Sequence, residues 1–138
     1  MKVEHYTETL LEDVTVEGSK GCKIRWLISQ KDMAPNFATR MFEVAPGGFT
    51  PYHTHNFEHE VYVLEGEGVF VTEEKEYPFK AGYVLYADPG MKHQFRNAGD
   101  STLKFLCIVP IENPNPIIKE EKEAENLNPF ASEEVNDC

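Results

Sequence analysis

The sequence predicts an all-β domain, built as a sandwich or a closed jelly roll. Three observations predict it. Residues 22–110 are a run of short segments rich in β-branched and aromatic residues, Gly, Pro, Asn and Asp punctuate them, and no stretch of that block carries a convincing helical period. Many short strands at close spacing must each bury one face, and these two architectures are what such strands form.

Residues 1–21 are polar and end in the turn-rich Glu17-Gly18-Ser19-Lys20-Gly21. This segment is suited to adding a strand at an exposed edge, including that of a neighbouring barrel. The strands expected in residues 22–110 are Lys23–Ser29, Ala38–Val44, Phe49–His55, His59–Leu64, Gly68–Thr72, Tyr83–Ala87, Lys92–Arg96 and Leu103–Val109. Pro110, Pro114 and Pro116 then stop the sheet. Residues 111–138 read as a Pro-containing linker and an acidic tail, either partly disordered or forming a short helix over Ile117–Asn126.

A chain of 138 residues with 41% hydrophobic and 12% aromatic residues is an ordinary globular domain. No stretch approaches a membrane span, and MKVEHYTETL carries no apolar signal core, so a cytoplasmic protein is expected. The net charge of −11 argues against nucleic acid and anionic membrane as partners. Eight acids and two lysines between Ile111 and Cys138 supply −6 of it, so the tail does not report on what a site binds. Cys22, Cys107 and Cys138 are far apart and in no CxxC pattern, which suggests neither a disulfide framework nor a cysteine zinc site, with Cys138 expected on the surface.

The histidines carry the functional signal. Four of the five are His53, His55, His59 and His93. On an extended strand His53 and His55 share a face, as two imidazoles chelating one ion must. On the next strand His59 shares a face with Val61 and Val63, while Glu60 falls on the other with Tyr62 and Leu64. His93 shares a face with Phe95. Burying several imidazoles without partners is costly, and a metal ion satisfies them together. His5 has no such neighbours and reads as structural.

These residues lie in two motifs. Gly47-x5-His53-Thr54-His55-x3-His59-x6-Gly66 and Gly82-x5-Asp88-Pro89-Gly90-x2-His93-x3-Asn97 resemble the two motifs of the cupin superfamily, in the right order and separation. The resemblance implies a jelly-roll β-barrel (a double-stranded β-helix) with a metal inside. The family usually places a glutamate as third ligand. His59 fits both motif spacings and has the inward parity, so it takes that role here, with Glu60 as the alternative. Asp88 stands where the motif has proline, which alters a turn and leaves the ligands alone.

Residues 22–110 further resemble the small single-domain manganese cupins with a four-histidine site, through Ala34-Pro35-Asn36-Phe37, Glu43-Val44-Ala45-Pro46-Gly47-Gly48, Glu58-His59-Glu60-Val61, Phe95-Arg96-Asn97 and Phe105-Leu106-Cys107-Ile108-Val109-Pro110. That resemblance implies manganese, a homodimer and an open metal site. Imidazole ligands alone are equally compatible with Fe, Co, Ni, Cu and Zn.

Four neutral ligands leave the metal's 2+ charge uncompensated, which favours an anionic or chelating small-molecule substrate. Parity adds a pocket around them: Arg40 and Phe42 on one strand, Phe105 and Cys107 on another, with Tyr52 and Phe95 as further wall. Arg40 is placed to bind a substrate carboxylate or to pair with a structural acid. Glu58 and Glu60 are candidates to orient the ligand histidines from behind. The expected activity is a metal-dependent oxidoreductase of dioxygenase type. The alternatives are a metal-dependent isomerase or lyase, and a non-enzymatic module that binds a small ligand or metal.

Overall fold

The computed structural model describes residues 1–111 and residue 138. They form nine strands: β1 (Glu12–Asp13), β2 (Lys20–Ile28), β3 (Phe37–Phe49), β4 (His59–Glu65), β5 (Glu67–Thr72), β6 (Glu76–Lys80), β7 (Val84–Ala87), β8 (His93–Asn97) and β9 (Leu103–Pro110). Two single-turn 3-10 helices, Tyr6–Glu8 and Gln30–Asp32, complete the described structure. No described helix is long and apolar enough to cross a membrane.

The strands form one curled sheet in the order β6-β5-β8-β3-β9-β4-β7, with β2 also on β3 and β1 on β2. β3 makes the curl. Its first half, Phe37–Val44, lies between β2 and β9, whereas its last residue, Phe49, pairs with Arg96 of β8. The bend falls at Ala45-Pro46-Gly47-Gly48. Pro46 has no N–H to give a neighbour, and a Cβ on Gly48 would stand 2.5 Å from the Lys20 carbonyl oxygen. Only glycine lets β2 cross so closely there. β6 and β7 end the order on opposite sides, so the barrel has a mouth between them.

Alternation fills the interior. Leu103, Phe105, Cys107 and Val109 of β9 point inward, as do His59, Val61 and Val63 of β4 and His93, Phe95 and Asn97 of β8. From β3 come Ala38, Arg40, Phe42 and Val44. Phe105 stacks between Phe42 and Phe95, at ring-centroid distances of 5.4 and 4.8 Å, and Phe70 and Phe79 pack on Phe95. This aromatic column is the centre of the core.

The sequence and the structure differ in three places. The expected strand Phe49–His55 does not form; β3 runs on to Phe49, and His53 keeps only an isolated bridge to His93. β6 was not anticipated, because Pro78 and the charged residues around it disguise a strand. An edge strand paired on one side only, here to β5, tolerates both. Third, Cys107 and Cys138 form a disulfide, with Cys138 buried in the core and Cys22 the one described cysteine outside a disulfide. The expectation of an exposed Cys138 and no disulfide is therefore corrected. A separation of 31 residues leaves no spacing signal, and only the inward parity of Cys107 hints at it.

The N-terminal segment lies on its own barrel. β1 pairs with β2, the Arg25 guanidinium donates to the Thr9 carbonyl and sits over the Tyr6 ring, and Lys2 Nζ donates to the Leu27 carbonyl at 2.9 Å. At the other end Ile111 is buried and its N–H donates to the Asn36 carbonyl. The linker prolines Pro114 and Pro116 and the helix expected over Ile117–Asn126 lie outside the described residues.

Because Phe95 touches four aromatic partners in the core, Phe95→Ala should destabilise the fold by about 3–5 kcal/mol, measured by urea unfolding with an unchanged m-value. A loss below about 1 kcal/mol would mean that the column is not the core's centre.

Candidate functional site

Two loops and two strands bring four histidines together. His59 opens β4 and His93 opens β8. Between β3 and β4 the chain runs as a loop that buries His55 while Tyr52, Thr54 and Asn56 stay exposed, and hydrogen bonds to the segment before β8 fix its course. His53 and His93 exchange both backbone bonds, at 3.3 and 3.2 Å. Two residues on, the Gly90 N–H donates to the His55 carbonyl at 2.7 Å. Gly90 has φ +83°, a left-handed conformation that suits glycine. The second motif therefore places its own histidine and also pins the loop that carries His53 and His55.

Thr50 and Asn97 hold the frame. The Thr50 N–H donates to the Phe95 carbonyl and the Phe95 N–H to Thr50 Oγ1, both at 2.9 Å. Asn97 Nδ2 donates to the Val44 and Ser101 carbonyls at 2.9 Å, and its Oδ1 accepts the Gly99 N–H at 2.8 Å. The asparagine closing the second motif thus ties β8 to β3 and to the turn before β9.

The imidazoles form a ring of neighbours. His55 is 4.9 Å from His53, 4.9 Å from His59 and 6.0 Å from His93 between ring centroids, and His59 is 5.1 Å from His93. Phe57 stacks on His55 and Phe70 on His93. His59 is 1% exposed and its Nε2 is buried with no hydrogen-bond partner among the described residues. Burial lowers its pKa from 6.5 to about 2, helped by the positive charge of Arg40 and by the other three histidines. The ring is therefore neutral at any ordinary pH. His93 Nδ1 lies 2.9 Å from the Met91 carbonyl, and its Nε2 lies 3.0 Å from a main-chain oxygen of Cys138. A neutral imidazole carries one N–H and can serve only one of them.

The neutral His59 ring with its partnerless buried nitrogen, and a second ring steered by a backbone carbonyl, suit a divalent transition metal, which His53, His55, His59 and His93 would hold. Ligand-capable atoms that all lie within 4.8 Å of one another, among the described residues, belong to a different set: His59, Cys107 and Cys138. As a disulfide, those two sulfurs carry no thiolate charge.

The other sequence candidates divide. Arg40 is fully buried, its Nη2 donates to Cys107 Sγ at 3.0 Å, and its guanidinium lies over the rings of Trp26 and Phe42 at 5.5 and 5.2 Å. It faces the disulfide beneath the histidines, and Cys107 is half of that disulfide. Phe42, Phe95 and Phe105 are floor and core, with no exposed surface to offer a ligand. Tyr52 stands at the surface with Lys92 Nζ over its ring and does not line the cavity described below. Glu60 is exposed on the outer face of β4, which removes it as a ligand; Glu58 is half-buried at the loop's end.

The walls that do face open space were not anticipated. A cavity of about 560 Å³ opens at the mouth between β6 and β7, lined by Phe70, Tyr77, Phe79, Tyr83, Leu85 and Met91 among others. It meets the histidines through Phe70 and Met91. Its tyrosines lie in or next to the short edge strands β6 and β7, and no motif marks them.

The cupin domain family matches residues 40–109. The chain is 35% identical over 99 residues to the oxalate-binding protein of Thermotoga maritima, covering 68% of this chain and 80% of that one. It is 38% identical over 78 residues to the 1-methylthio-D-xylulose 5-phosphate methylsulfurylase of Rhodospirillum rubrum, covering 56% of this chain and 49% of that one. Among solved structures, the polyketide cyclase RemF from Streptomyces resistomycificus superposes with a TM-score of 0.77 at 36% identity, over 83% of this chain and 82% of that one. The two motifs, the jelly-roll barrel and these matches agree, and this chain belongs to the cupin family.

Proposed function

We propose that this chain is a metal-dependent cupin whose His53, His55, His59 and His93 hold one divalent transition metal and present it to an anionic, oxygen-chelating substrate. The observation that carries this reading is His59 Nε2, buried without a hydrogen-bond partner inside a cluster of four imidazoles. Leaving such an atom dry and unsatisfied costs about 1–3 kcal/mol, which a bound ion offsets. Manganese is the metal expected from the resemblance to four-histidine cupins, with Fe, Co, Ni, Cu and Zn compatible.

Four neutral ligands favour an anion beside the ion, and oxalate, for which one relative is named, is a bidentate anion of that kind. The aromatic cavity supports a substrate with an apolar body as well, in line with the similarity to a polyketide cyclase. The metal supplies a Lewis-acid centre that gathers substrate oxygens and, when redox-active, couples them to dioxygen. The chain's own part is to orient. Met91 steers His93, Gly90 steers His55, and Phe70 and Phe57 shield the cluster from water. Among the described residues no aspartate, glutamate or tyrosine side chain is buried beside the histidines, and Tyr77 and Tyr83 line the outer cavity instead. Proton transfer by a side-chain acid or base at the histidine cluster itself is thus poorly provided for, which supports a dioxygenase-type oxidoreductase ahead of an isomerase or lyase. The similarity to a cyclase supports the second reading, ring closure or isomerisation without oxidation.

Elemental analysis of the purified chain should find a stoichiometric divalent transition metal. His59→Ala should weaken its binding by more than the roughly 10–100-fold that losing an outer-shell partner costs. Wild-type protein without metal, or a variant that keeps it, would overturn the reading. With the manganese- or iron-loaded protein, enols and 2-oxo acids should drive oxygen consumption. Turnover under argon with zinc would transfer the assignment to the Lewis-acid class, and binding without turnover would make the chain a ligand-binding module.

The depressed pKa of His59 has a signature in the metal-free protein. The unfolded chain takes up a proton at His59 below pH 6.5 while the folded chain does not, so stability is lost as pH falls from 6.5. With chelator present, as pH falls from 6.5 toward 4.5, His59→Gln should remove a slope of unfolding free energy against pH that approaches about 1.4 kcal/mol per pH unit. An identical slope would show that His59 is not held neutral.

A further inference from the structure

Beneath the histidine ring, two sulfurs face one nitrogen. Cys107 points inward from β9 and is fully buried; Cys138 is 1% exposed. Their sulfurs lie 3.4 and 3.7 Å from His59 Nδ1, the ring nitrogen opposite the one offered to the histidine cluster. Arg40 Nη2 reaches Cys107 Sγ at 3.0 Å. Two sulfurs and an imidazole nitrogen, all buried and all within 4.8 Å of one another, are the donors that zinc and similar soft cations select. In the disulfide they lack the charge to bind.

We propose that reduction of the Cys107–Cys138 disulfide by a dithiol creates a second metal site, in which His59 Nδ1 and the two thiolates bind a soft divalent cation of the zinc class. The chemistry is thiol–disulfide exchange. A reductant thiolate attacks Cys138 Sγ, the S–S bond breaks, and its electron pair stays on Cys107 Sγ. The reductant's second thiol then displaces Cys138 and leaves as a cyclic disulfide. Two electrons and two protons pass to the cysteines, and the cation displaces the protons to solvent on binding. Two thiolates neutralise the 2+ charge, and the Arg40 hydrogen bond is stronger to a thiolate than to a disulfide sulfur. A neutral imidazole has one lone pair to give, so His59 serves either this site through Nδ1 or the histidine cluster through Nε2. The two centres alternate, and the redox state of the cysteines selects between them.

Cobalt(II) is the probe, because only a thiolate-bound cobalt shows an intense sulfur-to-metal charge-transfer band in the near ultraviolet. The full-length oxidised protein titrated with cobalt(II) should lack that band. After treatment with a dithiol under argon and desalting, alkylation should count two additional thiols and cobalt(II) should produce the band. Cys107→Ser and Cys138→Ser should each weaken it, the double variant should abolish it, and Cys22→Ser should leave it unchanged. Failure of excess dithiol to release the thiols from the native protein overturns the proposal. So does cobalt uptake by the reduced protein without the band. That last result would leave the four-histidine reading standing. A charge-transfer band after reduction, with no cobalt bound before it, would support the sulfur site and remove the histidine one.

Discussion

The backbone bridge between His53 and His93, with the Gly90–His55 hydrogen bond beside it, is the constraint on which the rest depends. His53 and His55 do not belong to a strand, so no sheet ladder positions them. Three main-chain hydrogen bonds to the segment leading into β8 do so instead. Without them a nine-residue loop from Phe49 to His59 would have many courses, and the imidazoles would converge in few. The same bonds consume polar backbone groups that would otherwise lie unsatisfied inside the barrel. One set of contacts therefore solves a folding problem and builds the site.

The remaining two rings come from strand parity. His59 and His93 each begin a strand whose next inward residues, Val61 and Phe95, belong to the core. Their orientation is thus anchored by apolar burial, worth about 1.5–3 kcal/mol for each large side chain. Half of the cluster is held by packing and half by hydrogen bonds to a loop. The loop half is the part able to move when something binds, since β4 and β8 cannot shift without disturbing the aromatic column.

How legible was this in the chain? His59 was, because alternation over His59–Leu64 allowed one inward face, and it chose histidine over Glu60. Arg40, Phe42, Phe105 and Cys107 were placed inward by the same argument, although most of them proved to be core. The pairing of His53 with His55 was expected for a reason that failed: they converge through Gly90, about 35 residues on, and no local pattern reports a bond of that range. β6 hid behind Pro78, acceptable only because β6 is an edge, and edges are properties of the finished sheet. The tyrosines of the mouth were missed likewise, since they line a gap between two strands that never pair.

Electrostatics joins the two proposed centres. The interior buries the guanidinium of Arg40 and, among the described residues, no aspartate or glutamate side chain. The disulfide sulfur of Cys107 lies against it, and its charge is one of the forces holding His59 unprotonated. A divalent cation held only by neutral imidazoles would bring its full 2+ charge into a low-dielectric space, where charges interact strongly. The barrel therefore accepts a cation readily only together with negative charge. An anionic substrate at the mouth is one source. The Cys107 and Cys138 thiolates are another, available inside the barrel after reduction. His59 stands between the two sources with one nitrogen toward each, so whichever anion arrives decides which face of the ring holds the metal.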